Sequence, residues 1–250
     1  MDVKTRGTVR VEPGPKWVRV YLAGQLVADT RHPSLVWENP HYPAYYLPLG
    51  DVRAELVPTG QTEHSPSRGD ATLYDVRVGD AVAPGAARRY ADSPMEAIRD
   101  LVRFDWDAMG EWLEEDEPVY THPRDPYHRV DILASSRHVR VEVDGVTVAD
   151  SHRPTILFET GLPARYYLPL SDIRTDLLTP TDTQSHCPYK GTATYWSVDT
   201  GQGPRADLVW AYRAPLAESQ KVAGLACFYN EKVNIYLDGE LQDRPRTPFS

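Results

Sequence analysis

The sequence predicts a mainly-β protein made of two tandem copies of one small domain. Three observations support this prediction. Much of the first half recurs in the second half, short runs of β-branched and aromatic residues alternate with polar ones, and 22 prolines and 16 glycines divide the chain into short runs. Several short strands separated by turn residues are typical of β barrels and sandwiches. A length of 250 residues is sufficient for two such domains.

The internal repeat keeps an almost constant register. Its matched segments, at an offset of 121 residues that becomes 122 after one insertion, are Val18–Gly24 with Val139–Gly145, Tyr45–Leu49 with Tyr166–Leu170, and His64–Gly69 with His186–Gly191. A series of matches in constant register indicates duplication. We therefore expect a first, diverged β domain at 1–115, a packed linker at 116–130, and a second β domain with the more complete motif at 131–250.

The expected elements of each copy are short strands. Residues 17–22 and 138–143 alternate before a turn glycine, which predicts a strand entering a hairpin. Ser93 followed by Pro94 and Glu96 predicts one capped helical turn. Further strands are expected at 71–78, 193–198, 208–212, 222–229 and 233–237.

The segment 105–117 separates the two copies. Trp106, Met109 and Leu113 lie at helical spacing, and the acidic run that follows is typical of a solvated surface. Because a flexible linker would not carry two tryptophans, we expect this segment to pack against one or both domains.

Composition limits the classes of partner and compartment. The net charge is −9 and no Lys/Arg-rich run occurs, which disfavours nucleic acid and anionic membranes as partners. The N-terminus lacks the apolar stretch of a secretory signal. The two cysteines form no Cys-x-x-Cys pair, so neither disulfides, nor structural zinc, nor any other cofactor is expected. These features predict a cytoplasmic protein, and they leave its oligomeric state open.

The second copy carries a combined motif. Its members are Ala149-Asp150, Tyr166-Tyr167-x-Pro169-x-x-Asp172, Cys187-Pro-Tyr-Lys-Gly191, Ala193-x-Tyr195-Trp196, Trp210-x-Tyr212 and Phe228-Tyr229. This motif resembles the bacterial domain-of-unknown-function family numbered 427, sometimes labelled nucleotidyltransferase-like. The resemblance implies a β-tent fold, which methionine sulfoxide reductase B and the ligand-binding domain of cereblon share, here without zinc. No glycine-rich phosphate loop and no paired magnesium-binding aspartates are present, so nucleotidyl transfer is not expected.

Three residues of the second copy are candidates for chemistry: Glu159, Cys187 and Lys190. Glu159 closes an apolar run, so its carboxylate can be desolvated and used as an acid, a base or a ligand anchor. A cation near Cys187 would favour its thiolate. The structural alternatives are a Glu159–arginine pair, a small buried cysteine in a turn, and Lys190 on the surface.

Aromatic side chains complete a possible ligand site. Tyr166 and Tyr167 point to opposite faces of a strand, so one of them can enter a pocket. The residues predicted to bind ligand are Glu159, Tyr166, Tyr167, Lys190, Trp196, Trp210 and Tyr212. The alternative is that the aromatics belong to the core, with satisfied hydroxyl groups.

Three hypotheses for function follow. The leading one is a small-molecule-binding pair of domains with its pocket in the second copy and a polar, cyclic or anionic ligand. The rival is an enzyme that uses Glu159 with Cys187 or Lys190, and the third is an interaction protein with vestigial pockets. Two smaller features are interpreted as structural. The segment His122–His128 fits no standard metal-ligand spacing, and Asp172 is expected to share a sheet face with Arg174.

Overall fold

The computed structural model describes residues 9–247 and 249–250. It divides the chain into two compact units, Met1–Asp125 and Pro126–Ser250. Both units are built mainly from antiparallel strands, which confirms the predicted tandem of β domains. Among the described residues, no helix is long and apolar enough to cross a membrane.

The first unit contains a seven-stranded sheet and a four-stranded sheet. Its strands are β1 (Arg10–Pro13), β2 (Val18–Leu22), β3 (Gln25–Thr30), β4 (Ser34–Trp37), β5 (Ala44–Pro48), β6 (Glu55–Ser65), β7 (Gly69–Val78), β8 (Ala81–Arg89), β9 (Leu101–Phe104), β10 (Glu111–Glu114) and β11 (Glu117–Val119). The large sheet has the order β1-β4-β5-β9-β8-β7-β6, and the small sheet has the order β11-β10-β2-β3.

The second unit repeats this arrangement. Its strands are β12 (Val130–Ala134), β13 (Val139–Val143), β14 (Val146–Ser151), β15 (Thr155–Glu159), β16 (Arg165–Pro169), β17 (Leu178–Cys187), β18 (Gly191–Asp199), β19 (Pro204–Tyr212), β20 (Leu225–Phe228), β21 (Asn234–Leu237) and β22 (Glu240–Leu241). Its sheets have the orders β12-β15-β16-β20-β19-β18-β17 and β14-β13-β21-β22. Strand for strand, these orders match those of the first unit, as expected of duplicated domains.

Each large sheet carries buried apolar residues on both of its faces. Alternate residues of a strand point to opposite sides of the sheet, so one strand contributes to both layers. In β5, Tyr45 belongs to a cluster with Val18 and Val20 of the small sheet, whereas Tyr46 belongs to a second cluster with Tyr90. We call the first kind of cluster the inter-sheet core and the second kind the outer-face cluster. The second unit has the same two layers.

The segment between the copies adopts a different structure from the one its spacing predicts. Residues Trp106–Ala108 form a single 3-10 turn, and β10 then pairs with β2 of the first unit. Trp112 is buried and stacks on Trp106 with ring centroids 4.4 Å apart. The predicted packing is therefore confirmed, but the predicted helical face is wrong because pairing with β2 imposes extended backbone on these residues.

Two smaller expectations also need correction. The run 222–229 is a strand only from Leu225, because Ala217–Val222 form a 3-10 helix. Asp172 does not pair with Arg174; it accepts hydrogen bonds from Ser151 and from Arg153, and Arg174 bonds Asp176 instead. A 3-10 turn over Leu170–Asp172 removes the strand spacing on which the expected Asp172–Arg174 pair depended.

Candidate functional site

The second unit holds a carboxylate–ammonium pair that is almost excluded from solvent. Glu159 is the last residue of β15, and Lys190 lies in the turn between β17 and β18. Lys190 Nζ donates a hydrogen bond to Glu159 Oε2, and their side chains are 10% and 5% exposed. Gly191 closes the turn at φ 94°, a conformation that favours glycine. The alternatives of a surface Lys190 and a Glu159–arginine pair are therefore wrong.

His128 is a third member of this group, although sequence analysis placed it only in the segment His122–His128 that was interpreted as structural. Its Nε2 lies 3.0 Å from Glu159 Oε1, and its ring stacks on Tyr189 with centroids 4.1 Å apart. Val130 pairs with Glu159 at the start of β12, which brings the residues just before that strand next to the carboxylate. The pairing of β12 with β15 is thus the signal that would identify His128.

Tyr167, Trp210 and Tyr212 lie together in the outer-face cluster of the second unit. Trp210 Nε1 donates a hydrogen bond to the Tyr167 hydroxyl at 3.2 Å, and Trp210 also packs on Tyr229 with ring centroids 4.5 Å apart. Burial raises the pKa of Tyr167 and Tyr212 well above the ordinary tyrosine value. Both phenols therefore stay neutral at physiological pH.

Tyr166 and Trp196 lie on the other side of the large sheet. Both pack against the inter-sheet core, so the structure separates them from Tyr167, Trp210 and Tyr212. Tyr166 also lines a small cavity of about 150 Å³. The other residues lining that cavity are Pro163, Ala164, Asn230, Ile235, Gln242, Asp243 and Pro245. The five aromatic residues predicted to bind ligand are thus divided between two faces.

A buried bidentate ion pair lies close to the aromatic cluster. Arg165 donates to both carboxylate oxygens of Glu231 at 2.7 Å, and the side chains are 7% and 0% exposed. Burial of Glu231 opposes its ionisation, but hydrogen bonds from Arg165 and Thr247 outweigh this effect and lower its pKa. The Arg165 guanidinium also lies 5.5 Å from the Trp210 ring centre. Sequence reasoning missed both members of this pair.

The two cysteines have different environments. Cys187 ends β17 three residues before Lys190 and is partly exposed, whereas Cys227 is fully buried between Tyr167 and Trp210 on neighbouring strands. Burial raises the pKa of the Cys227 thiol to about 12. Both thiols are free, and Cys187 is the more accessible to reagents.

The first unit carries a related group at the matching position. Glu38 and Arg68 correspond to Glu159 and Lys190, but they are 3.8 Å apart at their closest approach. Glu38 Oε1 instead accepts a hydrogen bond from the Tyr46 hydroxyl at 2.5 Å. Burial, and then the negative charge of Glu38, raises the pKa of Tyr46.

Two arginines take the place of Trp210 and Cys227 in the first unit. Arg88 and Arg103 are cross-strand partners in β8 and β9, as Trp210 and Cys227 are in β19 and β20. Both arginines bond Asp105, and Arg103 also lies 3.2 Å from Glu38. At these two positions the first unit therefore has an ion-pair network.

Comparison with known proteins identifies the family. A family model described as a domain of unknown function, DUF427 (NTP_transf_9), matches residues 10–115 and 131–239. These two matches correspond to the two copies of the repeat. No curated protein matches the chain. The chain belongs to the DUF427 family, as a tandem of two family domains.

Proposed function

We propose that the protein binds a small polar or anionic molecule at Glu159, Lys190 and His128 of its second unit. One observation carries the proposal: a desolvated carboxylate–ammonium pair stands at the position where the first unit also has a carboxylate and a cation. The neighbouring residues differ between the units, but this pairing of charge types does not.

Stability alone is a weak reason to keep such a pair. Removing two charges from water costs several kcal/mol per ion in typical proteins, and apolar replacements of buried pairs are often neutral or stabilising. The Glu159–Lys190 pair therefore supports a binding role.

The chemistry of the group defines the kind of ligand. The Lys190 ammonium suits a carboxylate or phosphate group, and a free oxygen of Glu159 suits an N–H or O–H donor. Movement of His128 away from Glu159 would free that oxygen and open the stack on Tyr189. The adjacent aromatic cluster suits a flat ring. The proposed ligand is thus a small ring-bearing molecule with an acidic group.

The second unit is the preferred location because its outer-face cluster contains more aromatic residues than that of the first unit. In the first unit, Glu38 is already held by Tyr46 and Arg103. Arg68 must nevertheless be tested, because its buried Nε has no hydrogen-bond partner among residues 9–247 and 249–250. We further propose a cytoplasmic location, where two free thiols remain reduced.

Native mass spectrometry of the full-length protein, followed by identification of any released small molecule, is the first test. Calorimetric titration with that molecule then compares variants. Lys190→Met/Glu159→Gln removes both charges together, so that neither is left buried alone. We expect affinity to fall at least about tenfold, the typical effect of losing one charge-assisted hydrogen bond.

The matched control is Arg68→Met/Glu38→Gln in the first unit, which should retain nearly full affinity. An equal loss in both double variants would mean that the two units act alike. If the second-unit variant unfolds, as judged by circular dichroism, the pair is structural and the site assignment fails.

An enzyme is the second candidate, favoured by the His128–Glu159 contact. A carboxylate that holds an imidazole is a common acid–base arrangement. In this case His128→Asn should abolish turnover of the bound molecule while leaving its binding largely intact. Turnover retained by that variant would exclude His128 as the acid or base.

A further inference from the structure

A second group of ligating side chains lies on the four-stranded sheet of the second unit. His138 directly precedes β13, Asp150 lies in β14, and His152 directly follows β14. Val139 pairs with Ser151, so the two histidines face each other across the hairpin. One nitrogen from each ring and one Asp150 oxygen all lie within 4.8 Å of one another. The hairpin register therefore brings three metal-ligating side chains together.

The contacts within the group are close. His138 Nε2 lies 2.8 Å from Asp150 Oδ1, and the two imidazole rings stack with centroids 4.1 Å apart and an interplanar angle of 14°. The backbone N–H of His138 donates to Asp238 at 2.9 Å, which fixes the chain at the start of β13. These contacts hold the group on a rigid hairpin.

The surrounding arginines bind other carboxylates. Arg140 is the cross-strand partner of Asp150, yet its guanidinium bonds Glu142. The other two nearby arginines form the pairs Arg137–Asp238 and Arg153–Asp172. The Asp150 carboxylate thus faces the imidazoles, and its negative charge favours a cation between them.

The first unit shows that the hairpin itself sets this geometry. Trp17, Asp29 and Arg31 occupy the matching positions at an offset of 121 residues. Trp17 Nε1 donates to Asp29 at 2.7 Å, and the Arg31 guanidinium lies 5.3 Å from the Trp17 ring centre. The side chains at these three positions therefore lie close together in both units. Indole and guanidinium groups only donate hydrogen bonds, so they cannot ligate a metal.

We propose that His138, Asp150 and His152 form a binding site for a divalent transition metal of the zinc type. Two imidazole nitrogens and one carboxylate oxygen suit zinc, and three protein ligands leave a coordination position for water. His138 and Asp150 are 31% and 54% exposed, so small side-chain rotations bring the ligands to coordinating distance. The metal adds to a folded hairpin and is not needed to form it. This site is separate from the proposed function.

Calorimetric titration of the full-length protein with zinc chloride tests the site. We expect one zinc ion per chain. Loss of outer-shell partners typically lowers metal affinity by about 10–100-fold, so His152→Ala and Asp150→Asn, which remove direct ligands, should each lower it by about 100-fold or more. Thermal unfolding without metal should match the parent protein.

His64→Ala is the matched control. His64 also contacts an aspartate, Asp70, at 2.6 Å on an exposed strand. Because no second histidine completes that pair in a three-ligand group of the described chain, this variant should bind zinc like the parent protein. An equal loss of zinc affinity in His64→Ala would overturn the proposal, because it would mean that zinc binds surface histidines in general.

The first unit offers a gain-of-function test. Trp17→His/Arg31→His copies the ligand set beside Asp29 and should raise the stoichiometry to two zinc ions per chain. No zinc binding by the parent protein, or full binding by His138→Ala/His152→Ala, would overturn the proposal. Loss of the zinc site on His128→Asn instead would also overturn it, because the metal would then belong to Glu159 and its neighbours.

Discussion

The two units have the same strand order but different chemistry on one face. Their inter-sheet cores share matching valines of the small sheet, with Val18 and Val20 in the first unit and Val139 and Val141 in the second. The outer faces differ: the first combines an apolar cluster around Tyr46 and Tyr90 with a network of arginines and carboxylates, and the second has a larger aromatic cluster. The core between the sheets thus keeps its valines in both units, whereas the outer face differs in its charged and aromatic residues. Function must therefore be assigned to each unit from its own residues.

The largest predicted difference concerns Arg165, whose matching residue in the first unit is Ala44. Arg165→Ala leaves the Glu231 carboxylate buried without its partner, which typically destabilises a protein by about 3–5 kcal/mol. The loss should fall on the second unit alone. Denaturant unfolding, combined with hydrogen exchange of peptides from each unit, measures it.

The control for this prediction is Arg165→Met/Glu231→Leu, which replaces both charges with apolar groups. It should recover most of the lost stability. A loss below about 1 kcal/mol in Arg165→Ala, the level typical of surface pairs, would show that the pair is not structurally important.

Much of the fold follows from local sequence. The repeat predicts the tandem, and the alternation at Tyr166 and Tyr167 correctly places these side chains on opposite faces. Strand β10 could not be predicted from the sequence, because the spacing of Trp106, Met109 and Leu113 indicated a helix. Its pairing with β2 lies about ninety residues away in sequence, and such tertiary contacts override local propensity.

The site was predictable only in part, for a related reason. Glu159 and Lys190 were found because each stands out within a short motif. His128 lies beside Glu159 only through the pairing of β12 with β15, and Arg165 meets Glu231 across 66 residues of sequence. The metal-ligating group likewise depends on the register of β13 and β14. Single-sequence patterns do not fix these registers.

A smaller difference concerns Asp172 and its counterpart Asp51. Hydrogen bonds from Arg153 and Ser151 lower the pKa of Asp172 below the ordinary aspartate value. A carboxyl group with a lowered pKa in the folded state contributes stability above its unfolded pKa of about 3.9, and that contribution is lost as the pH falls. Asp172→Asn should therefore cost on the order of 1 kcal/mol at pH 7, and this cost should shrink progressively as the pH falls from about 4 toward 2.

Thermal unfolding of Asp172→Asn and Asp51→Asn across this pH range tests the difference. The first unit has Thr30 and His32 where the second has Ser151 and Arg153, so Asp51 lacks the arginine. Asp51→Asn should show a smaller cost and a flatter pH dependence. A constant cost of Asp172→Asn at all pH values would mean that ionisation of Asp172 does not matter.

The smallest predicted change is Cys187→Ser, which gives the second unit the residue of the first. Ser65 Oγ accepts a hydrogen bond from the backbone N–H of Arg68 at 3.4 Å, so a serine fits this turn. We expect an unchanged unfolding temperature and loss of rapid labelling by a thiol reagent, since Cys227 is buried and the pKa of its thiol is raised to about 12. Ligand binding at Lys190 should persist.

Two results would contradict this prediction. Loss of turnover with ligand binding retained would instead support the enzyme hypothesis with Cys187 as nucleophile. Slow labelling of the parent protein would contradict the accessibility of the Cys187 thiol.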